Sequence, residues 1–217
     1  MIIDLHSHEM RYSPDSFQTL DEMTLRAKEL GIDAICITDH DSQGLASEIG
    51  WESTHNGIRI FVGCEYYTAQ GDILVFGAKA LPTGRIDIRQ LWRAVKEQGG
   101  VMIAAHPYRH NLRGIMNGIY DYADCLVAVE GYNGSTFARD NARAVKAAKE
   151  AGLHVVGAAD SHNTTAMGSF ATEFAGEIHT VEELVQALKE GNYWPVEWMD
   201  GKMQPIPMEH AVEKVMA

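Results

Sequence analysis

The chain opens on Ile2-Ile3-Asp4-Leu5-His6-Ser7-His8, an apolar run that ends in two histidines. In an extended segment, residues i and i+2 point to the same side, so both imidazoles can reach one metal ion. The same form recurs at Asp160-Ser161-His162, directly after the apolar run His154–Ala158. A single His-x-His pair is as often incidental as functional. Two pairs, each closing an apolar run, are hard to ascribe to chance.

Between the two pairs lie five more short apolar runs: Ala34–Thr38, Ile58–Gly63, Ile73–Phe76, Val101–Ala105 and Leu126–Val129. Continuous runs of this kind suit strands buried on both faces, as in a parallel sheet. Helical patterns alternate with them. Thr19 and Glu22 form a capping box, Leu20, Met23, Ala27 and Leu30 share one face, and Gly31 stops the helix. Segments 86–98 and 138–151 stop likewise at Gly99 and Gly152, and Thr180 and Glu183 cap a last helix that ends before Gly191. From Asn192 the pattern is less regular, and Pro205 and Pro207 mark a turn before a short tail.

Repeated strand–helix alternation implies an α/β domain, either a barrel or a doubly wound open sheet. The polar residues choose between them. Ligand-type residues follow nearly every strand: His6 and His8, His40, Glu65, His106, Glu130, then Asp160 and His162, with Asp72 near the start of the fourth. An open sheet gathers its site at one switch point, whereas a barrel delivers every strand end to one mouth. The distribution favours the barrel, formed by residues 1–217 as a single domain.

Composition bounds the function. The chain has 217 residues, 46% hydrophobic and 22% charged, ordinary for a globular protein with a sizeable core. No apolar run reaches the roughly 18 residues of a membrane span, and the N-terminus lacks the pattern of a secretory signal. A net charge of -12 argues against broad binding to duplex nucleic acid, yet leaves room for a pocket that takes one phosphate group. Cys36, Cys64 and Cys125 form no C-x-x-C pair, so free thiols and a cytoplasmic location are expected.

Imidazoles and carboxylates together make a mixed nitrogen and oxygen site, which suits Zn, Mn or Fe. There are more such residues than one four-coordinate ion uses, so several ions sharing carboxylates are expected. Adjacent divalent ions can clamp a phosphoryl group and lower the pKa of a bridging water. Pro107 biases His106 toward an extended conformation. Arg109, three residues beyond His106, is the best phosphate anchor, with Arg11 and Arg113 behind it. His110 could donate a proton to a leaving group. Asp41 reads as a helix start, and His55, His154, His179 and His210 read as ordinary.

The set His6-x-His8, Thr38-Asp39-His40, Gly63-x-Glu65, His106-Pro107 and Asp160-x-His162 resembles, in order and spacing, the PHP (polymerase and histidinol phosphatase) metallophosphoesterases. The resemblance implies a distorted (β/α)7 TIM-like barrel, phosphate-ester hydrolysis, and three divalent ions at the mouth of the C-terminal face, and two or three such ions are expected in this chain. Residue by residue, it implies that His6, His8, Glu65 and Asp160 hold a first ion. Glu65 would bridge to a second at His106, and His40 and His162 would hold a third. Asp15, in Tyr12-Ser13-Pro14-Asp15-Ser16, matches the family's further ligand at a slightly different spacing. The main departure is Asp72, which stands where many members carry a histidine after the bridging glutamate.

The expected activity is hydrolysis of a small phosphomonoester or nucleotide by a metal-activated hydroxide, with Arg109 neutralising charge. Glu130 is a second candidate ligand for the Asp72 region, and equally a residue that touches substrate or supports a ligand. Two rivals remain. A metallo-amidohydrolase would use similar ligands but usually bridges its ions with a lysine, and no lysine closes a strand here. A silent metal-binding module would follow if Asp72 fails as a ligand.

Overall fold

The computed structural model describes residues 1–111 and 113–207. His210 and the tail lie outside the described residues. The chain forms β1 (Ile2–Ser7), α1 (Leu20–Glu29), β2 (Ala34–Ile37), α2 (Ala46–Ile49), β3 (Glu52–His55), β4 (Ile58–Val62), β5 (Cys64–Tyr67) and β6 (Asp72–Phe76). There follow α3 (Ile88–Glu97), β7 (Val101–Ala104), α4 (Gly118–Asp121), β8 (Ala128–Asn133), α5 (Ala138–Ala151), β9 (His154–Ala158), β10 (Phe170–Phe174), α6 (Val181–Glu190), β11 (Tyr193–Met199) and β12 (Lys202–Pro205).

Local chemistry sets the helix ends. Thr19 and Glu22 exchange side-chain bonds with each other's backbone N–H at the start of α1, and Asp87 with Gln90 does the same for α3. Gly152 and Gly191 close α5 and α6 in the left-handed conformation that costs glycine least.

The strands form two sheets, ordered β12-β11-β10-β1-β2-β4-β3 and β5-β6-β7-β8-β9. Two seams join them into a distorted TIM-like barrel. On one side β4 continues into β5 through Gly63, whose N–H donates to Ile37, while the Glu65 N–H donates to Thr38. A Cβ on Gly63 would stand 2.6 Å from the Phe76 ring and 2.8 Å from the Val75 carbonyl, so only glycine lets this bend pack. On the other side the Asp160 N–H donates to His6 and the His8 N–H to Ser161. Buried Asp4 reinforces that seam by accepting from the N–H groups of His6 and Ala159.

Ile3, Leu5, Ala34, Cys36, Phe61 and Leu74 are among the fully buried side chains of the core cluster that spans the barrel strands. Further apolar clusters lie under α1 and beneath α3 and α5.

Three expectations are corrected. The fourth apolar run is not parallel to its neighbours: β6 runs antiparallel to both β5 and β7. The link from Tyr67 to Asp72 is too short for the crossover that parallel strands need. The segment after Asn192 is regular, with β11 pairing antiparallel to β10 and to β12. His106 is not extended but has φ +28°, because its backbone N–H and ring are both held by acids inside the site.

Candidate metal centre

Two β-bulges aim the first residues of the site. The pairing register slips between Asp4 and Ser7 in β1, and again between Glu130 and Tyr132 in β8. A bulge adds a residue to one strand and re-aims its side chains. Here His6 meets Glu130, with Nδ1 3.0 Å from Oε1 and both side chains fully buried. The other Glu130 oxygen accepts from the His106 N–H at 2.7 Å. A carboxylate at Nδ1 fixes the proton there and leaves Nε2 free.

His8 is set in the same way by a relay. Its Nδ1 lies 3.2 Å from the Ser13 hydroxyl, which donates to Asp39 at 3.0 Å. The Nε2 atoms of His6 and His8 then face Glu65 Oε2 at 3.4 and 3.5 Å. They face Asp160 Oδ1 at 3.5 and 3.2 Å. None of these four buried atoms makes an aligned hydrogen bond, and His40 Nδ1 comes to 2.7 Å of Glu65 Oε2 without bonding geometry. Buried polar atoms are normally satisfied, so two imidazole nitrogens and two carboxylate oxygens left facing one another fit a divalent cation.

A second group lies beside the first. The His8 ring stacks between those of His40 and His162, at centroid distances of 4.4 and 4.2 Å. His40 and His162 converge on Asp15, at 3.1 and 3.4 Å. His40 Nδ1 also approaches Glu65 Oε2 at 2.7 Å, so Glu65 touches both groups.

The third corner holds Glu65, Asp72 and His106 within reach of one another. His106 Nε2 is 2.7 Å from Glu65 Oε1 and 3.8 Å from Asp72 Oδ2. Because β6 runs backward, Asp72 begins its strand at the mouth where other strands end. Arg113 Nε bonds the same Asp72 Oδ2 at 2.6 Å.

Arg109 crosses the mouth from the loop after β7. It bonds Asn133 at 2.7 Å and Thr136 at 3.2 Å, and pairs with Asp160. Arg11 turns outward to Glu9 and Glu48. His110 sits on the far side of that loop beside Asp140, at 3.4 Å.

The ion balance of the site follows from this packing. Burial would lower the His6 pKa, but Asp160, Glu130 and Glu65 hold it well above the usual imidazole range. Burial wins at His8 and takes it down to about 4. Burial would raise Glu65 and Asp160, yet His6 and its neighbours keep both well below the usual carboxylate range. Asp72 is pushed up to about 7 by burial and by Glu65, against the pull of His106 and Arg113.

Every metal-ligand candidate read from the sequence therefore lies at one mouth. Sequence reading gave no role to Asp4, Ser13 and Asn133, and took Asp39 only as part of the Thr38-Asp39-His40 motif. Asp4 carried a signal, a lone acid inside an apolar strand. The others are ordinary polar residues whose partners come from distant elements.

Residues 4–130 match the PHP domain, and residues 138–193 match the PHP-associated region. The chain belongs to the PHP domain family. It is 31% identical over 144 residues, covering 61% of this chain and 82% of the relative, to an uncharacterized protein of Methanocaldococcus jannaschii. Its fold matches a two-domain protein of Bacteroides vulgatus that contains a predicted PHP-like metal-dependent phosphoesterase. The TM-score is 0.65 at 19% identity, over 90% of this chain and 64% of that one. It also matches a lesion-specific endonuclease of Pyrococcus furiosus, with a TM-score of 0.67 at 16% identity over 93% of this chain and 57% of that one. Among the described residues, no helix is long and apolar enough to cross a membrane.

Proposed function

We propose that this PHP domain hydrolyses the phosphate ester of a small phosphomonoester or a nucleotide. The observation that carries the reading is the ring of four buried atoms without an aligned hydrogen bond, His6 Nε2, His8 Nε2, Glu65 Oε2 and Asp160 Oδ1. His6, His8, Glu65 and Asp160 would hold one divalent ion, and His40, His162 and Asp15 would hold another beside it. Ions such as Mn, Fe or Zn, when bound, supply Lewis acidity toward a phosphoryl group and acidify water.

The remaining roles belong to the chain. Glu130 and Ser13 orient His6 and His8, so Glu130 is a positioning residue that acts through His6 and His106. Glu65 spans the two groups. Arg109, held in a fork by Asn133 and Thr136, presents a guanidinium at the mouth that matches phosphate oxygens.

A nucleic-acid strand is a second reading. Endonuclease Q, of the same fold, has been seen with a 27-mer duplex bearing an abasic lesion at its active site. The net charge of -12 favours the small substrate.

The test is phosphate release from nucleotides, sugar phosphates and lesion-bearing oligonucleotides by protein loaded with Mn, Fe or Zn. Turnover of the small esters supports the proposal. Cleavage confined to oligonucleotides favours the second reading. No cleavage of any ester, by protein that binds metal, overturns both.

A further inference from the structure

Asp72 and Arg113 hold each other twice. The Asp72 N–H donates to the Arg113 carbonyl at 2.6 Å, and Arg113 Nε donates to Asp72 Oδ2 at 2.6 Å. That oxygen is also the one nearest His106, 3.8 Å from its Nε2. The guanidinium further lies with Nη2 3.2 Å from His40 Nδ1.

The pair is braced from behind. The Arg113 guanidinium stacks on Tyr67 at 4.3 Å from the ring centroid, and Arg85 covers that ring at 4.0 Å. Gly71 makes the close approach possible, since a Cβ there would stand 2.6 Å from the Arg113 carbonyl. Arg109 is different. It bonds Asp160 through Oδ2, while Oδ1 stays directed at His6 and His8.

We propose that Arg113 is a resident cation that takes the place of one divalent ion at the Glu65–Asp72–His106 corner. The chain then works with two ions and one fixed guanidinium. A guanidinium stays charged at every working pH and offers several donors, so it can neutralise a buried carboxylate and still face a phosphoryl oxygen. It cannot acidify water, so that task stays with the His6, His8, Glu65 and Asp160 group.

This assignment rests on the metal-centre reading above, and metal counting separates the two. Wild-type protein saturated with Mn and freed of excess ion is analysed for bound metal, beside Arg113→Met and Arg113→Gln. Arg113→Met keeps an aliphatic side chain of similar reach beside Tyr67 and removes the charge. Two ions per wild-type chain and a third in either folded variant are expected. Three ions in the wild type overturn the assignment and leave the phosphoesterase reading standing. Two ions in wild type and in a variant whose circular dichroism is native also overturn it. A wild-type chain that binds no ion overturns both. If both variants unfold, the wild-type count alone decides, with three ions sinking the proposal and two sustaining it.

Discussion

His6 and Glu130, 124 residues apart in the chain, form a fully buried pair in which Nδ1 lies 3.0 Å from Oε1. The same carboxylate takes the His106 N–H. One acid thus orients two members of the centre, from beneath, without facing the mouth itself.

Glu130→Gln tests that arrangement. The amide can still accept from one partner, but its NH2 group must then face the other donor. One buried bond is lost while shape is kept. Metal affinity is expected to fall by roughly 10–100-fold, the usual effect of losing such a support. Calorimetric titration with Mn checks it, and an unchanged affinity would remove Glu130 from the centre's support.

Arg109→Ala removes the fork that Asn133 and Thr136 hold. If Arg109 meets the developing charge of the phosphoryl group, kcat should drop by roughly 10²-fold, as for loss of one preorganised donor. Metal content should stay at the wild-type value. A change in KM alone would make Arg109 a ground-state binding residue.

Removing metal should destabilise the folded chain. Glu65, Asp160, Asp72 and Glu130 are all buried within one site. A ligand held only by the folded state adds about 2.7 kcal/mol when present at 100 times its Kd. Melting with and without a chelator should show a clear fall in Tm on chelation. Equal Tm values would mean that no ion binds these residues.

Gly63→Ala probes the seam between β4 and β5. Its Cβ would meet the Phe76 ring and the Val75 carbonyl, and the carbonyl belongs to a paired strand that has little room to move. Overpacking of this kind costs roughly 1–3 kcal/mol. Urea denaturation measures it, and the shift should come with weaker metal binding because Glu65 follows two residues later. A stable variant with intact metal binding would show that the seam tolerates a side chain.

What the sequence determined on its own was local or periodic. The apolar runs, the Thr19 capping box and the stop at Gly152 each depend on residues a few positions apart. So does the pairing of His6 with His8 at one strand end. The spread of ligand types over nearly every strand then indicated a barrel mouth, because only a closed sheet gathers so many strand ends.

Tertiary structure decided the rest. The reversal of β6, which places Asp72 at the mouth, follows from the short link after Tyr67 and from pairing on both edges. The two bulges that bring His6 to Glu130 depend on registers between strands far apart in the chain. His106 takes its positive φ because Glu130 and Glu65 hold it from both ends, overriding the preference that Pro107 imposes. Which arginine faces Asp72 and which faces Asp160 was settled by how the loop after β7 packs against Gly71 and Asn133. Side-chain partners of that kind are chosen by packing across the whole barrel, and no local pattern encodes them.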